Sequence, residues 1–113
     1  MSKPVIFSID DEQKKQRVLA LYKDYMKQQN EQPQFFESLE DFKNSPHYQN
    51  LSEEEKEHFQ EHEGKNLIVL VFNTAEQAIE FVQQMQKKGL ISEEKAEQIV
   101  SDLQENEAPR PRM

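Results

Sequence analysis

The chain predicts a small α/β domain with a two- or three-stranded, mostly parallel sheet flanked by four to five helices. Three observations carry that expectation. Two nearly unbroken apolar runs, residues 5–9 and 67–72, have the length and Val/Ile/Phe content of strands covered on both faces. Each run gives way to polar capping residues and then to apolar residues at helical spacing. A length of 113 residues suits one hydrophobic core, assigned to residues 1–107 and followed by a Pro/Arg tail at 108–113.

The first strand is expected over residues 3–9, where Val5, Ile6, Phe7 and Ile9 leave little polar surface. Asp10 is the expected N-cap of the next helix, with Asp11 and Glu12 in its first turn, where negative charge opposes the helix dipole. That helix is expected over 11–29, with Val18, Leu21, Tyr22, Tyr25 and Met26 on one apolar stripe. A loop containing Pro33 ends it. Phe35 and Phe36 fit a short edge strand or the entry to a helix equally well. Ser38 and Asp41 have capping-box spacing, so a short helix begins at Leu39 and stops at Ser45-Pro46.

Ser52 with Glu55 opens an intensely acidic helix over 52–63 that stops at Gly64. The run at 67–72 is the strongest strand, and without a polar interruption it is expected to lie centrally. Asn73 or Thr74 caps a helix reaching Lys88, with Ala78, Ile79, Val82 and Met85 inward and Gly89 as its stop. Ser92 begins the last helix, with Ala96, Ile99, Val100 and Leu103 inward. Two prolines within 108–113 predict an extended, mobile tail. Right-handed crossovers in a parallel sheet give the spatial order 2-1-3. That order leaves the 67–72 strand at an edge, where a second copy, the last helix or another protein would cover it. Homodimerisation is the simplest solution.

The net charge of −8 argues against nucleic acid and anionic lipid as partners and for a basic protein surface. Without cysteine there is no thiolate nucleophile, disulfide or cysteine zinc site. No apolar run reaches bilayer length, and residues 1–20 lack signal-peptide character, so a cytoplasmic location is expected.

Asp10-Asp11-Glu12 after a buried strand resembles the start of a response-regulator receiver domain. Residues 35–42 and 66–71 with 78–85 are similar to that family's second and third strand–helix units. The resemblance implies Mg²⁺ binding at Asp10 and Asp11. The phosphoacceptor position at the third strand's end holds Val71 and Phe72, and nothing after Gly89 matches the family's later strands. A relative of this kind would not carry out phosphotransfer. Helix capping explains the same acidic residues without metal, and no cofactor is expected.

His58-Phe59-Gln60-Glu61-His62 has the H-x-x-E-H spacing of a zinc peptidase, but its polar setting offers no protected cleft. Two solvated histidines near a helix end are the expected reading. With Gly64 and Gly89 the sole glycines, a Gly-rich phosphate loop is excluded. Glu93-Glu94-Lys95-Ala96-Glu97 resembles the glutamate-rich block of leaderless bacterial type IV secretion substrates, which implies delivery into a host cell as an alternative location.

The expected function is that of a non-enzymatic, acidic protein-binding regulator, an inhibitor of a partner enzyme among the forms it could take. The expected partner-binding residues are Glu53, Glu54, Glu57, Glu61, Glu93, Glu94 and Glu97. The alternatives are a divergent receiver-like signalling domain using Asp10 and Asp11, and an acidic mimic of DNA.

Overall fold

The computed structural model describes residues 3–64 and 66–107, without the side chains of 105–107. The expected tail at 108–113 lies outside the described residues. The elements in order are β1 (Lys3–Ser8), α1 (Glu12–Gln28), β2 (Gln34–Phe36), α2 (Leu39–Lys43), α3 (Pro46–Gln49), α4 (Glu53–Gln60), β3 (Leu67–Phe72), α5 (Ala75–Lys87) and α6 (Glu93–Glu107). The chain is thus α/β, with three strands and six helices among the described residues.

The sheet corrects two expectations. Its order is β1-β3-β2, and β3 pairs antiparallel with both neighbours. The sheet is therefore antiparallel rather than mostly parallel, and the 67–72 strand is central, as its unbroken apolar run indicates, rather than at the edge where the 2-1-3 order would put it. Every residue of β3 is buried because helices cover both of its faces. A covered central strand loses its polar alternation whichever way its neighbours run, so the apolar run could not disclose direction. β1 and β2 run the same way, with α1 linking them and β3 inserted between, a split β-α-β arrangement.

Alternation along the strands divides the core in two. Val5, Phe7, Ile68, Leu70 and Phe72 face α1, α5 and α6. Ile6, Phe36, Leu67 and Val69 face the other way, onto Leu39, Phe42 and Phe59 of α2 and α4. On the first face the rings of Phe7, Tyr22, Phe72 and Phe81 meet edge-on or tilted at 5.3–6.2 Å. On the second, Phe42 stacks on Phe59 at 5.0 Å. Phe59 is the one buried residue of α4, so this contact fixes that helix to the sheet.

The caps follow side-chain chemistry closely. Ser52 and Glu55 close a full capping box, and Ser38, Thr74 and Ser92 each accept from the backbone N–H three residues on. The cap of α1 is Asp11, not Asp10; its carboxylate accepts from the Gln13 N–H at 2.9 Å. Pro46 starts α3 at its first position instead of simply breaking the chain, since proline forfeits no helical bond there. Asn30, at φ 61°, ends α1 in the left-handed conformation, and Glu31 N–H returns to the Met26 carbonyl. Gly89, at φ 75°, does the same for α5, with Leu90 N–H on the Met85 carbonyl. α4 stops at Gln60, short of the expected Glu63, and turns through Gly64.

Tyr22 joins α1 to the sheet. Its buried hydroxyl accepts from the Gln34 N–H at 3.0 Å and sits within donating reach of the Val71 carbonyl. One phenol thereby bridges β2 and β3 where their ladder ends. Among the described residues no helix is long and apolar enough to cross a membrane.

Candidate functional site

Two concave surfaces bring together the residues singled out by the sequence. The first is a cleft of about 550 Å³ where β1 and β2 end and β3 begins. Asp10, Asp11, Glu12, Glu37, Glu40 and Glu63 give it acidic walls. Among the described residues, three of these six carboxylates have lysine partners within the cleft. Lys15 lies 3.6 Å from Glu12 and 3.3 Å from Glu37, tying the start of α1 to the end of β2. Lys43 lies 3.7 Å from Glu63. Asp10 and Asp11 do share this cleft, but Asp11 is occupied in capping. Among the described residues no three carboxylates or imidazoles converge as a metal site requires.

The second surface is a groove of about 680 Å³ along the outer edge of β1. Lys3, Pro4, Val5, Ile6 and Ser8 form its floor. One wall is α4 with its flanking turns, through Leu51, Glu54, Glu55, His58, Phe59 and His62. The other is α6, through Lys95, Gln98, Ile99, Asp102 and Leu103. The two walls stand on opposite faces of the sheet, because Phe59 belongs to one core cluster and Ala96 and Leu103 to the other. The strand edge therefore lies at the bottom of a trough between two helices.

All seven glutamates expected to bind a partner are exposed. Among the described residues none is ion-paired. The fold does not gather them into one patch. Glu53, Glu54, Glu57 and Glu61 lie on α4 and its end, while Glu93, Glu94 and Glu97 lie on α6, across the sheet. Of the seven, Glu54 lines the groove. His58 and His62 approach with ring centroids 5.6 Å apart on the α4 wall, whereas Glu61 lies outside the groove lining.

Sequence reasoning missed the β1 edge. The available signal was Pro4, since proline within a strand is confined to edges, where its missing N–H faces away from the sheet. It also missed the role of the tyrosines. Burial pushes the Tyr25 phenol well above its ordinary range, helped by its 2.6 Å hydrogen bond to Glu80 and by that carboxylate's charge. Burial likewise raises Tyr22, against the opposing effect of its bonds to Gln34 and Val71. Both phenols stay neutral and structural at ordinary pH.

No family model, curated protein or solved structure matches the chain.

Proposed function

We propose that this chain is a non-enzymatic protein-binding module that docks on a basic surface of another protein and thereby restrains or inhibits that partner. The observation that supports this best is the state of its carboxylates. Glu12, Glu37 and Glu63 of the cleft lie near Lys15 and Lys43, while the seven on α4, its end and α6 are exposed and without ion-pair partners among the described residues. Exposed, uncompensated charge costs little in isolation and attracts an oppositely charged partner over a Debye length. With a net charge of −8, approach of a basic protein is accelerated and approach of nucleic acid is opposed.

The test is capture of partners on the immobilised chain, followed by repetition with the double variant Glu54→Lys/Glu57→Lys. Salt is raised from about 0.05 M to about 0.5 M in parallel, which shortens the screening length from roughly 14 Å to roughly 4 Å. A specific basic protein should be retained by the unaltered chain and released by salt and by charge reversal. Retention indifferent to both would defeat the reading.

A further inference from the structure

The register of the sheet fixes which backbone groups of β1 are spent and which are free. Ile9 donates its N–H to the Asn66 carbonyl at 3.2 Å. In an antiparallel ladder such bonded pairs recur every second residue. Phe7 opposite Ile68, Val5 opposite Leu70 and Lys3 opposite Phe72 therefore turn their polar groups toward β3. Pro4, Ile6 and Ser8 turn theirs outward, into the groove. The free groups are the carbonyls of all three and the N–H groups of Ile6 and Ser8. No other described residue bonds to them. Pro4 has no N–H to offer, which fits its outward place.

The walls add side-chain chemistry. A strand laid antiparallel along β1 would send the residue opposite Ile6 to the face that Ile6 itself occupies, the face of α4. There it meets Glu54, exposed and without an ion pair among the described residues, and Glu55, one of whose oxygens is held by the Ser52 N–H at 3.0 Å. The residues on either side would fall on the α6 face, over Ile99 and Leu103, with Asp102 and Lys95 beside them; Lys3 at one end of the floor is the groove's other lysine, so its acidic side is the α4 wall. We propose that the β1 groove takes an extended segment of a basic partner protein as a fourth, antiparallel strand. The segment hydrogen-bonds to Pro4, Ile6 and Ser8, with its cationic side chains over Glu54 and its apolar ones over Ile99 and Leu103. Strand addition of this kind draws affinity from main-chain bonds and specificity from alternate side chains. A second copy fits less well, because it would bring its own α4 and α6 walls to the same edge. The assignment rests on the protein-binding reading above and names the form its partner takes.

The probe is a short, doubly capped peptide of alternating lysine and valine, tested against the full chain in two N-methylated forms. Methyl groups on the lysine amides remove the N–H groups that face β1; methyl groups on the valine amides lie on the far side. The first form should bind about tenfold more weakly than the parent, and the second within about twofold of it. Ser8→Pro removes one outward N–H and no ladder bond, and should weaken the parent peptide about tenfold while far-ultraviolet dichroism stays unchanged; Ser8→Ala should bind normally. Equal binding of the two methylated forms, with salt sensitivity kept, overturns the strand while leaving the basic-partner reading standing. No binding of any peptide, at low salt and with residues 108–113 deleted, removes both. Binding that appears only after that deletion assigns the groove to the chain's own end, and a dimer dissolved by Ser8→Pro assigns it to a second copy. Either result overturns the proposal.

Discussion

The cleft at the strand ends and the groove along β1 are similar in size and differ in what they lack. In the cleft, Lys15 joins two elements through Glu12 and Glu37, Lys43 approaches Glu63, and Asp11 spends its carboxylate on α1. In the groove, the floor keeps unspent backbone groups and Glu54 stands exposed. Both are concave, and the cleft is the more acidic, with six carboxylates to two lysines among the described residues against three to two in the groove, so neither concavity nor acidity identifies the binding surface. The useful distinction is the backbone: the groove's floor is a strand edge whose outward N–H and C=O groups have no partner among the described residues.

Breaking the groove's frame should give the largest effect on stability. Phe59→Ala removes the ring that stacks on Phe42 and anchors α4. A loss of about 3–5 kcal/mol is expected by urea denaturation, with peptide binding lost at the same time. Tyr22→Phe should come next. It leaves the Gln34 N–H without its acceptor and takes a donor from Val71, at a cost of about 1–3 kcal/mol. Lys15→Met in the cleft should cost less than about 1 kcal/mol, because its partners Glu12 and Glu37 are solvated and methionine keeps the apolar packing of the half-buried stem, and should leave groove binding intact. A larger loss there would show that the cleft carries structure the comparison denies it.

The alkaline limb of stability reports the tyrosines. Tyr22 and Tyr25 hold their protons more tightly folded than unfolded, where phenols titrate near the ordinary value of 10.0. The folded state therefore binds more protons above that pH. Their contribution is complete below pH 10 and is lost as pH rises toward the folded values. Urea midpoints should fall above about pH 10, and fall less in Tyr25→Phe. The competing receiver-like proposal predicts a different signal: magnesium would shift the amides of Asp10 to Gln13, whereas the present account expects the ion to leave β1 unaffected.

The helices were legible because their caps are written in single residues. Ser38, Ser52 and Ser92 cap as their spacing indicates, and of Asn73 and Thr74 it is Thr74 that caps α5. Where two acceptors are adjacent the choice was not legible, and Asp11 rather than Asp10 caps α1. Pairing direction was hidden for a physical reason. β3 is apolar because helices lie over both faces, and that pattern carries no sign. β2 has three residues, too few for alternation to register. The acidic residues of the candidate surface were readable, but their division between two faces of the sheet depends on α4 packing with Leu39 and Phe42 and α6 with the opposite cluster. The edge itself was marked by Pro4 alone.

Amide hydrogen exchange along β1 tests the central claim most directly. In the free protein the N–H groups of Val5, Phe7 and Ile9, bonded to β3, should exchange slowly, and those of Ile6 and Ser8 quickly. Adding the lysine–valine peptide should slow Ile6 and Ser8 selectively. Protection of Ile6 and Ser8 already present in the free chain, or no change in either when the peptide binds, would contradict an open edge waiting for a strand.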